Sequence, residues 1–306
     1  MLEALEASPG SADPFLWTDF AELRALIHPD RCFSRSDLDG IERRGRDINS
    51  RLSPHTETKW RDLINFAGVR ALEFAKSYPF AVSDDEDTLE LSCDDSPEQT
   101  TYLRLLLASL MRHIPNIRRA ELARHFEQTC FAIFSKLMPK GSVVRATWAS
   151  GGAEAPYAGT LYEKMRKISS DLRCTPNFKD RDFKANDRGD GGIDLISWHP
   201  MADERPGLPI SFAQCGCSKD EWRFKQLEAS PAKHYSHLPT MHPWATYYFL
   251  PLDLRHADGG WACESDIGQA IIVDRMRLVR LASEYNLHTA LPSLPLLDDV
   301  RALNYA

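Results

Sequence analysis

The chain of 306 residues reads as an α/β protein, a mixed central sheet flanked by helices with a helical N-terminal region ahead of it. Three observations predict this. Apolar residues recur at helical steps through 15–77, where Trp60, Leu63, Ile64, Ala67, Ala71 and Phe74 form one stripe. Further along, short apolar runs at 193–198, 209–215, 245–252 and 271–275 have strand length and are bounded by glycine, proline or polar residues. Amphipathic helical patterns at 118–137 and 160–172 alternate with strand-like segments.

Taken in order, residues 1–14 are small and polar and carry no regular pattern. The helical run of 15–77 ends at Tyr78-Pro79, since the residue before a proline is pushed out of helical geometry. Residues 83–99 are acidic and rich in turn formers, with room for a short strand at 88–91. A buried helix fits 102–114 and stops at Pro115. Residues 1–115 are thus expected to be a helical region for recognition, regulation or partner docking.

The region 116–306 opens with the helix at 118–137, on which Leu122, Phe126, Cys130, Ile133 and Leu137 share a stripe. Pro139-Lys140-Gly141 breaks it and 142–148 reads as a strand. A Gly/Ala-rich loop then leads to the helix at 160–172. Two strands follow, then a helix at about 220–229 that ends near Pro231. The run at 245–252 is a further strand, and 271–275 is a short one feeding a helix to about residue 285. The Leu/Pro-rich tail is expected to be irregular.

A net charge of -7 argues against a protein that coats nucleic acid by charge alone. The charge is uneven, however. Residues 84–98 hold eight acids and no base, whereas 104–188 hold sixteen Lys/Arg against eight Asp/Glu. The second segment can meet a phosphate backbone, although an ordinary solvated surface has the same composition. Seven cysteines lack the spacing of a disulfide framework, the start Met1-Leu2-Glu3-Ala4-Leu5-Glu6 is not a secretory signal, and no run reaches membrane-spanning length. A cytoplasmic protein with free thiols is the expectation.

The chemistry concentrates in Gly189-Asp190-Gly191-Gly192-Ile193-Asp194 and in Pro209-Ile210-Ser211-Phe212-Ala213-Gln214-Cys215. A glycine-rich turn delivers Asp194 onto one apolar strand, and the next strand brings Gln214 beside it. Strand alternation puts Asp194, Ile196 and Trp198 on one face and Ile193, Leu195 and Ser197 on the other; Ile210, Phe212 and Gln214 share a face of the second strand. A carboxylate on so apolar a strand is costly to bury without a partner, and a divalent cation shared with the Gln214 carbonyl oxygen removes that cost. A turn cap at Asp194 and a backbone-bonded Gln214 account for the same letters equally well. Glu127, just after Phe126 on the helix of 118–137, can lean toward the sheet or lie on a solvated flank.

Helix with Phe-Glu, strand, helix, Gly-Gly-Ile-Asp strand and Phe-Ala-Gln-Cys strand resembles the PD-(D/E)xK restriction-endonuclease-like superfamily, in its Mrr-like branch where glutamine replaces the second acid. The resemblance covers roughly 116–286. It implies a restriction-endonuclease-like core and a Mg2+-dependent endonuclease, with Mn2+ as a substitute, that hydrolyses DNA phosphodiester bonds as an effector of a restriction or anti-phage system. Asp194 then corresponds to the metal-binding aspartate, Gln214 to the second ligand and Glu127 to the accessory acid. Asp190, four residues before Asp194, is a further ligand or an ordinary turn residue; Lys184 and Arg188 are contacts to nucleic acid or part of a loop neutralised by Asp180, Asp182 and Asp187, and Lys225 is a further contact to nucleic acid. The family lysine should stand two residues after the second ligand, where this chain has Gly216. Lys219 is the expected substitute, with Lys225 the other candidate. The resemblance also implies partner subunits or self-association, and the glycine admits a second reading: a nuclease-fold subunit without activity, serving as a structural or sensing component of a complex.

Other patterns carry less. Gln214-Cys215-Gly216-Cys217 does not place a cysteine at a helix start, as a thiol nucleophile with His234 or His237 as base would need. Cys215 and Cys217 lack a second close Cys/His pair for zinc. No phosphate-binding Gly-x-x-x-x-Gly-Lys-[Ser/Thr] loop occurs.

Overall fold

Two sheets, one antiparallel and one mixed, organise the helices of a mixed α/β chain. A computed structural model describes residues 2–5, 9–10, 13–44, 54–148 and 156–305. Most of the expected Gly/Ala-rich loop, part of 1–14 and the middle of 15–77 lie outside the described residues. The chain forms two units interleaved in sequence. Met1–Gln128, Pro251–Glu264 and Asp274–Ala306 make the first, and Thr129–Leu250 with Ser265–Val273 the second.

In the first unit, α1 (Pro14–Ile27), α2 (Arg35–Arg44), α3 (Pro54–Phe74) and α4 (Pro97–Ser109) accompany a small sheet of β1 (Cys32–Ser34), β2 (Phe80–Val82) and β3 (Thr88–Leu91) in the order β1-β3-β2. The expected strand at 88–91 is its centre. The helical N-terminal region also holds two strands that were not expected, β1 and β2, which have three residues each, too few to show alternation in sequence. Pairing nevertheless sets Phe33 opposite Leu89, and both are fully buried. Helix α4 starts at Ser96, whose side chain caps the Gln99 amide (3.3 Å).

The stripe of α3 also differs from the sequence reading. Ala71 is exposed, and Arg70 stands in the buried row with Leu63, Ala67 and Phe74. Arg70 is accommodated by ions: Asp19 lies at 2.7 Å, Glu22 at 2.8 Å and Asp253 at 2.9 Å. Arg275, at the start of α9 (Arg275–Glu284), binds Asp19 at 2.6 Å and the Pro251 carbonyl at 2.8 Å. Glu22 also accepts from the hydroxyls of Tyr78 (2.8 Å) and Tyr102 (2.9 Å). Burial raises the Asp19 carboxyl, but Arg275 and Arg70 more than offset it and leave it below the usual range. Burial prevails at Glu22 and Asp253, which are raised. The tail is regular where it was expected to be irregular: α10 (Pro295–Arg301) opens on a proline and buries Leu296, Leu297 and Val300, one face of a helix.

Helix α5 (Asn116–Leu137) runs from the first unit into the second. There β4 (Val143–Ala146), β5 (Leu195–Trp198), β6 (Ile210–Cys215), β7 (Ala245–Phe249) and β8 (Ile271–Val273) form one mixed sheet in chain order. Strand β5 is antiparallel to β4 and β6, while β6, β7 and β8 are parallel. The helix α6 (Leu161–Asp171) begins with a capping box of Thr160 and Glu163. Its Met165 and Ile168 join Ile196, Trp198, Ile210 and Phe212 in one apolar cluster on one face of the sheet. On α5, Phe134 meets the rings of Tyr247 and Phe249 edge-on, at 5.5 and 6.1 Å between centroids.

The helix expected at 220–229 is reduced to α7 (Trp222–Lys225), followed by turns and by α8 (Pro231–His234). The Gln226 side chain donates to the Arg223 carbonyl (2.9 Å), occupying an acceptor that a continuing helix would use. Among the described residues no helix is long and apolar enough to cross a membrane. All seven cysteines are free thiols.

Candidate functional site

The glycine-rich turn is held from several sides. Asp190 accepts from the Gly192 amide (2.7 Å), closing its own turn, and Asp187 accepts from the Gly189 amide (2.8 Å). Lys164, almost wholly buried on α6, donates to the Arg188 and Gly189 carbonyls, both at 2.9 Å. Lys233 on α8 donates to the Gly191 carbonyl (2.9 Å). Gly192 has a positive φ of 86°, and a Cβ there would lie 2.6 Å from the Glu228 Cβ and 2.9 Å from its Oε2. The turn therefore needs glycine for its backbone and for the approach of Glu228.

Asp194 follows this turn and precedes β5 by one residue. Its amide donates to the Ala213 carbonyl (2.9 Å), although Ala213 already faces Leu195 in the ladder. Two residues on one side thus oppose one on the other, the arrangement of a β-bulge, which re-aims a side chain. The strict alternation expected from sequence is corrected by this step. Ile193 lies in the same apolar cluster as Ile196 and Trp198, not on the opposite face. The Asp194 carboxylate is nearly buried, and its Oδ2 accepts from the Cys215 amide (2.7 Å), so it is fastened to the end of β6.

Gln214 precedes Cys215 and is 6% exposed. Its Nε2 donates to Glu228 Oε2 at 2.6 Å. A carboxylate only accepts, so the amide nitrogen must face it and the amide oxygen points elsewhere. Gln214 Oε1 is buried and has no hydrogen-bond partner among the described residues. The same is true of Thr246 Oγ1 and Tyr248 Oη on β7, the strand next to β6. Gln214 and Tyr248 are register partners in this parallel pair, and so are Phe212 and Thr246. Burial first, then Cys217, Cys215, Asp194 and Glu228, push the Tyr248 phenol above its ordinary range and keep it protonated. Tyr248 also abuts Gly216, where an added Cβ would overlap the hydroxyl and lie 3.0 Å from Cζ.

The structure brings Asp194 and Gln214 together at the junction of β5 and β6 and adds Glu228, Tyr248 and Lys233, which the sequence reading did not single out. No local spacing marks Glu228 or Tyr248, since they arrive from a turn and from the next parallel strand. The other expected residues are placed as follows. Asp190 closes the turn, and Glu127 is half-buried on the part of α5 that belongs to the first unit. Lys219 lies 3.7 Å from Asp220, and Lys225 pairs with Glu221 at 2.7 Å. Lys184 and Arg188 are exposed. His234, expected at most as a base for a thiol, is buried on α8 and donates from Nε2 to the Glu228 carbonyl (2.8 Å). Burial brings its pKa down to about 4, so it is a neutral brace behind Glu228.

Among the described residues no group of three or more His, Cys, Asp or Glu side chains forms a metal cluster. The donors that suit a hard cation are fewer and include an amide: the Asp194 carboxylate and the partnerless Gln214 oxygen, with the Glu228 charge directly behind that amide. Gln214 lies toward the C-terminal end of the parallel strand β6, the usual place for a ligand site in an open α/β sheet, and Asp194 adjoins it from the start of the antiparallel β5. No protein-family model, curated protein or solved structure matches the chain.

Proposed function

We propose that the second unit is a Mg2+-dependent nuclease that hydrolyses DNA phosphodiester bonds, with Mn2+ able to substitute. The observation that carries this reading is Gln214 Oε1, a buried acceptor without a partner among the described residues, beside a fastened carboxylate. An unpaired buried polar atom is costly, and a cation is what such an oxygen lacks. Mg2+ commonly keeps several waters and takes only one or two protein oxygens together with substrate phosphate, so Asp194 and Gln214 suffice to hold it. When bound, it polarises the phosphate and orients a water.

The chain's own residues set up the rest. Glu228 holds the Gln214 amide in one orientation, as a carboxylate behind a ligand does at metal sites. The Cys215 amide fixes the Asp194 carboxylate, and the turn tied by Lys164 fixes the backbone ahead of it. Lys233, beside Gly191 and Glu228, is an ammonium in the site's own neighbourhood, and Lys219 stands beyond the end of β6. The succession of α5, β4, α6, β5 and β6 is compatible with the helix, strand, helix, strand, strand order on which the restriction-endonuclease-like resemblance rests. Participation in a restriction or anti-phage system, with protein partners, comes from that resemblance.

One observation favours the second reading, an inactive nuclease-fold subunit of a complex. Gly216 stands at the lysine position, and its space is filled by Tyr248. Incubation of the purified protein with supercoiled, linear and single-stranded DNA in Mg2+ or Mn2+ separates the two. Cleavage that Asp194→Asn abolishes is the expected result; the asparagine keeps one acceptor oxygen for the Cys215 amide while removing the charge and replacing the second oxygen with a donor. No cleavage of any substrate with either metal would overturn the enzyme reading in favour of the scaffold.

A further inference from the structure

We infer that Tyr248 is the anion-binding donor of this site, its hydroxyl donating to a nonbridging oxygen of a phosphate group held beside Gln214. This inference rests on the nuclease reading for the identity of the substrate, but not for the binding itself. Tyr248 is wholly buried, yet its hydroxyl has no partner among the described residues. It neighbours Gln214 across a parallel pair, and Gln214 carries another buried atom with no partner among the described residues.

The two orphaned atoms have complementary chemistry. Gln214 Oε1 can only accept, so it calls for a cation or a donor. Tyr248 Oη carries a hydroxyl proton that meets no acceptor among the described residues, so it can donate. An acceptor and a donor side by side on one sheet face suit a cation together with the anion it neutralises. A phosphate group with a divalent ion is such a pair.

Gly216 accounts for how the hydroxyl came to this place. Any side chain at 216 would overlap Tyr248 Oη, so glycine there is the condition for the phenol's position. The position at which the resemblance expects a lysine thus carries no side chain, and a donor from the adjoining strand occupies its space. The exchange replaces an ammonium with a neutral hydroxyl. Such a donor binds a phosphate oxygen without adding charge next to Asp194 and Glu228.

The experiment compares wild type, Tyr248→Phe and Asp194→Asn as intact chains, using inorganic phosphate and Mn2+ as separate probes. Tyr248→Phe keeps the ring and removes only a partnerless hydroxyl, so it folds. Phosphate binding is followed by 31P line broadening or equilibrium dialysis, and Mn2+ binding by calorimetry. The expected result is phosphate affinity lowered about tenfold to a hundredfold by Tyr248→Phe, with Mn2+ affinity unchanged, whereas Asp194→Asn loses Mn2+. DNA cleavage should fall in parallel with phosphate affinity in Tyr248→Phe. Equal phosphate affinity in wild type and Tyr248→Phe overturns the inference, even if Asp194→Asn abolishes cleavage and the nuclease reading stands. Phosphate binding that depends on Tyr248 in a protein that never cleaves DNA upholds it while the nuclease reading falls. A wild type that binds no phosphate, with or without Mn2+, overturns it as well.

Discussion

Gly216 and Tyr248 are complementary in shape: the glycine at the end of β6 leaves the space that the phenol hydroxyl of β7 fills. Gly216→Ala drives a methyl into that hydroxyl, and overpacking of a buried strand pair costs about 1–3 kcal/mol. Urea denaturation should show this loss. The double variant Gly216→Ala/Tyr248→Phe should recover part of it, because Oη is removed while Cζ remains close. Additive losses in the double variant would show that the two positions do not compete for one space.

Glu228 orients Gln214 through the 2.6 Å bond to its amide nitrogen. Glu228→Gln preserves the size of the side chain but removes the charge that selects the amide's orientation. Mn2+ affinity, measured by calorimetry, should drop about 10–100-fold, the usual effect of losing a group that orients a metal ligand. Unchanged affinity would remove Glu228 from the site.

His234 gives the protein a pH dependence with a definite sign. Its folded pKa of about 4 lies below the ordinary 6.5, so the unfolded chain binds the proton more readily. The contribution is fully present above the unfolded pKa and is lost as pH falls toward the folded one. Between pH 7 and pH 5 the loss is about 2 kcal/mol. His125 and His288 are lowered as well, so the measurement is the difference in urea stability between wild type and His234→Gln at each pH. That difference should shrink as pH drops across the window, and a constant difference would refute the assignment.

Arg70 neutralises three buried carboxylates, Asp19, Glu22 and Asp253, at 2.7–2.9 Å. Arg70→Met leaves those groups with Arg275 as their remaining buried counter-charge in the network and should destabilise the first unit by about 3–5 kcal/mol. Substituting an exposed arginine such as Arg280 should cost less than 1 kcal/mol, since its ion pair with Glu73 is at the surface. Equal effects in denaturation experiments would show that the buried network contributes little.

Elements with several turns or clear alternation were legible in the sequence. Helix α5, helix α6 and strands β5, β6 and β7 lie where the periodicity puts them, because each buries a patterned face that local spacing records. Strands β1 and β2 were not legible, being three residues long and stabilised by pairing with β3. Arg70 was not recognisable as a core residue, since the ions that make its burial possible come from residues 19, 22 and 253.

For the candidate site, the sequence by itself determined that an aspartate follows a glycine turn onto an apolar strand and that a glutamine ends the next one. Neighbouring antiparallel strands then meet at those two residues, a consequence of local order. Only the tertiary structure decided what surrounds them: the bulge that re-aims Asp194, the carboxylate of Glu228 behind Gln214, and the hydroxyl of Tyr248 over Gly216. These depend on parallel pairing of β6 with β7 and on a turn folded back against Gly192, and contacts between residues so distant in sequence leave no periodic trace in the chain.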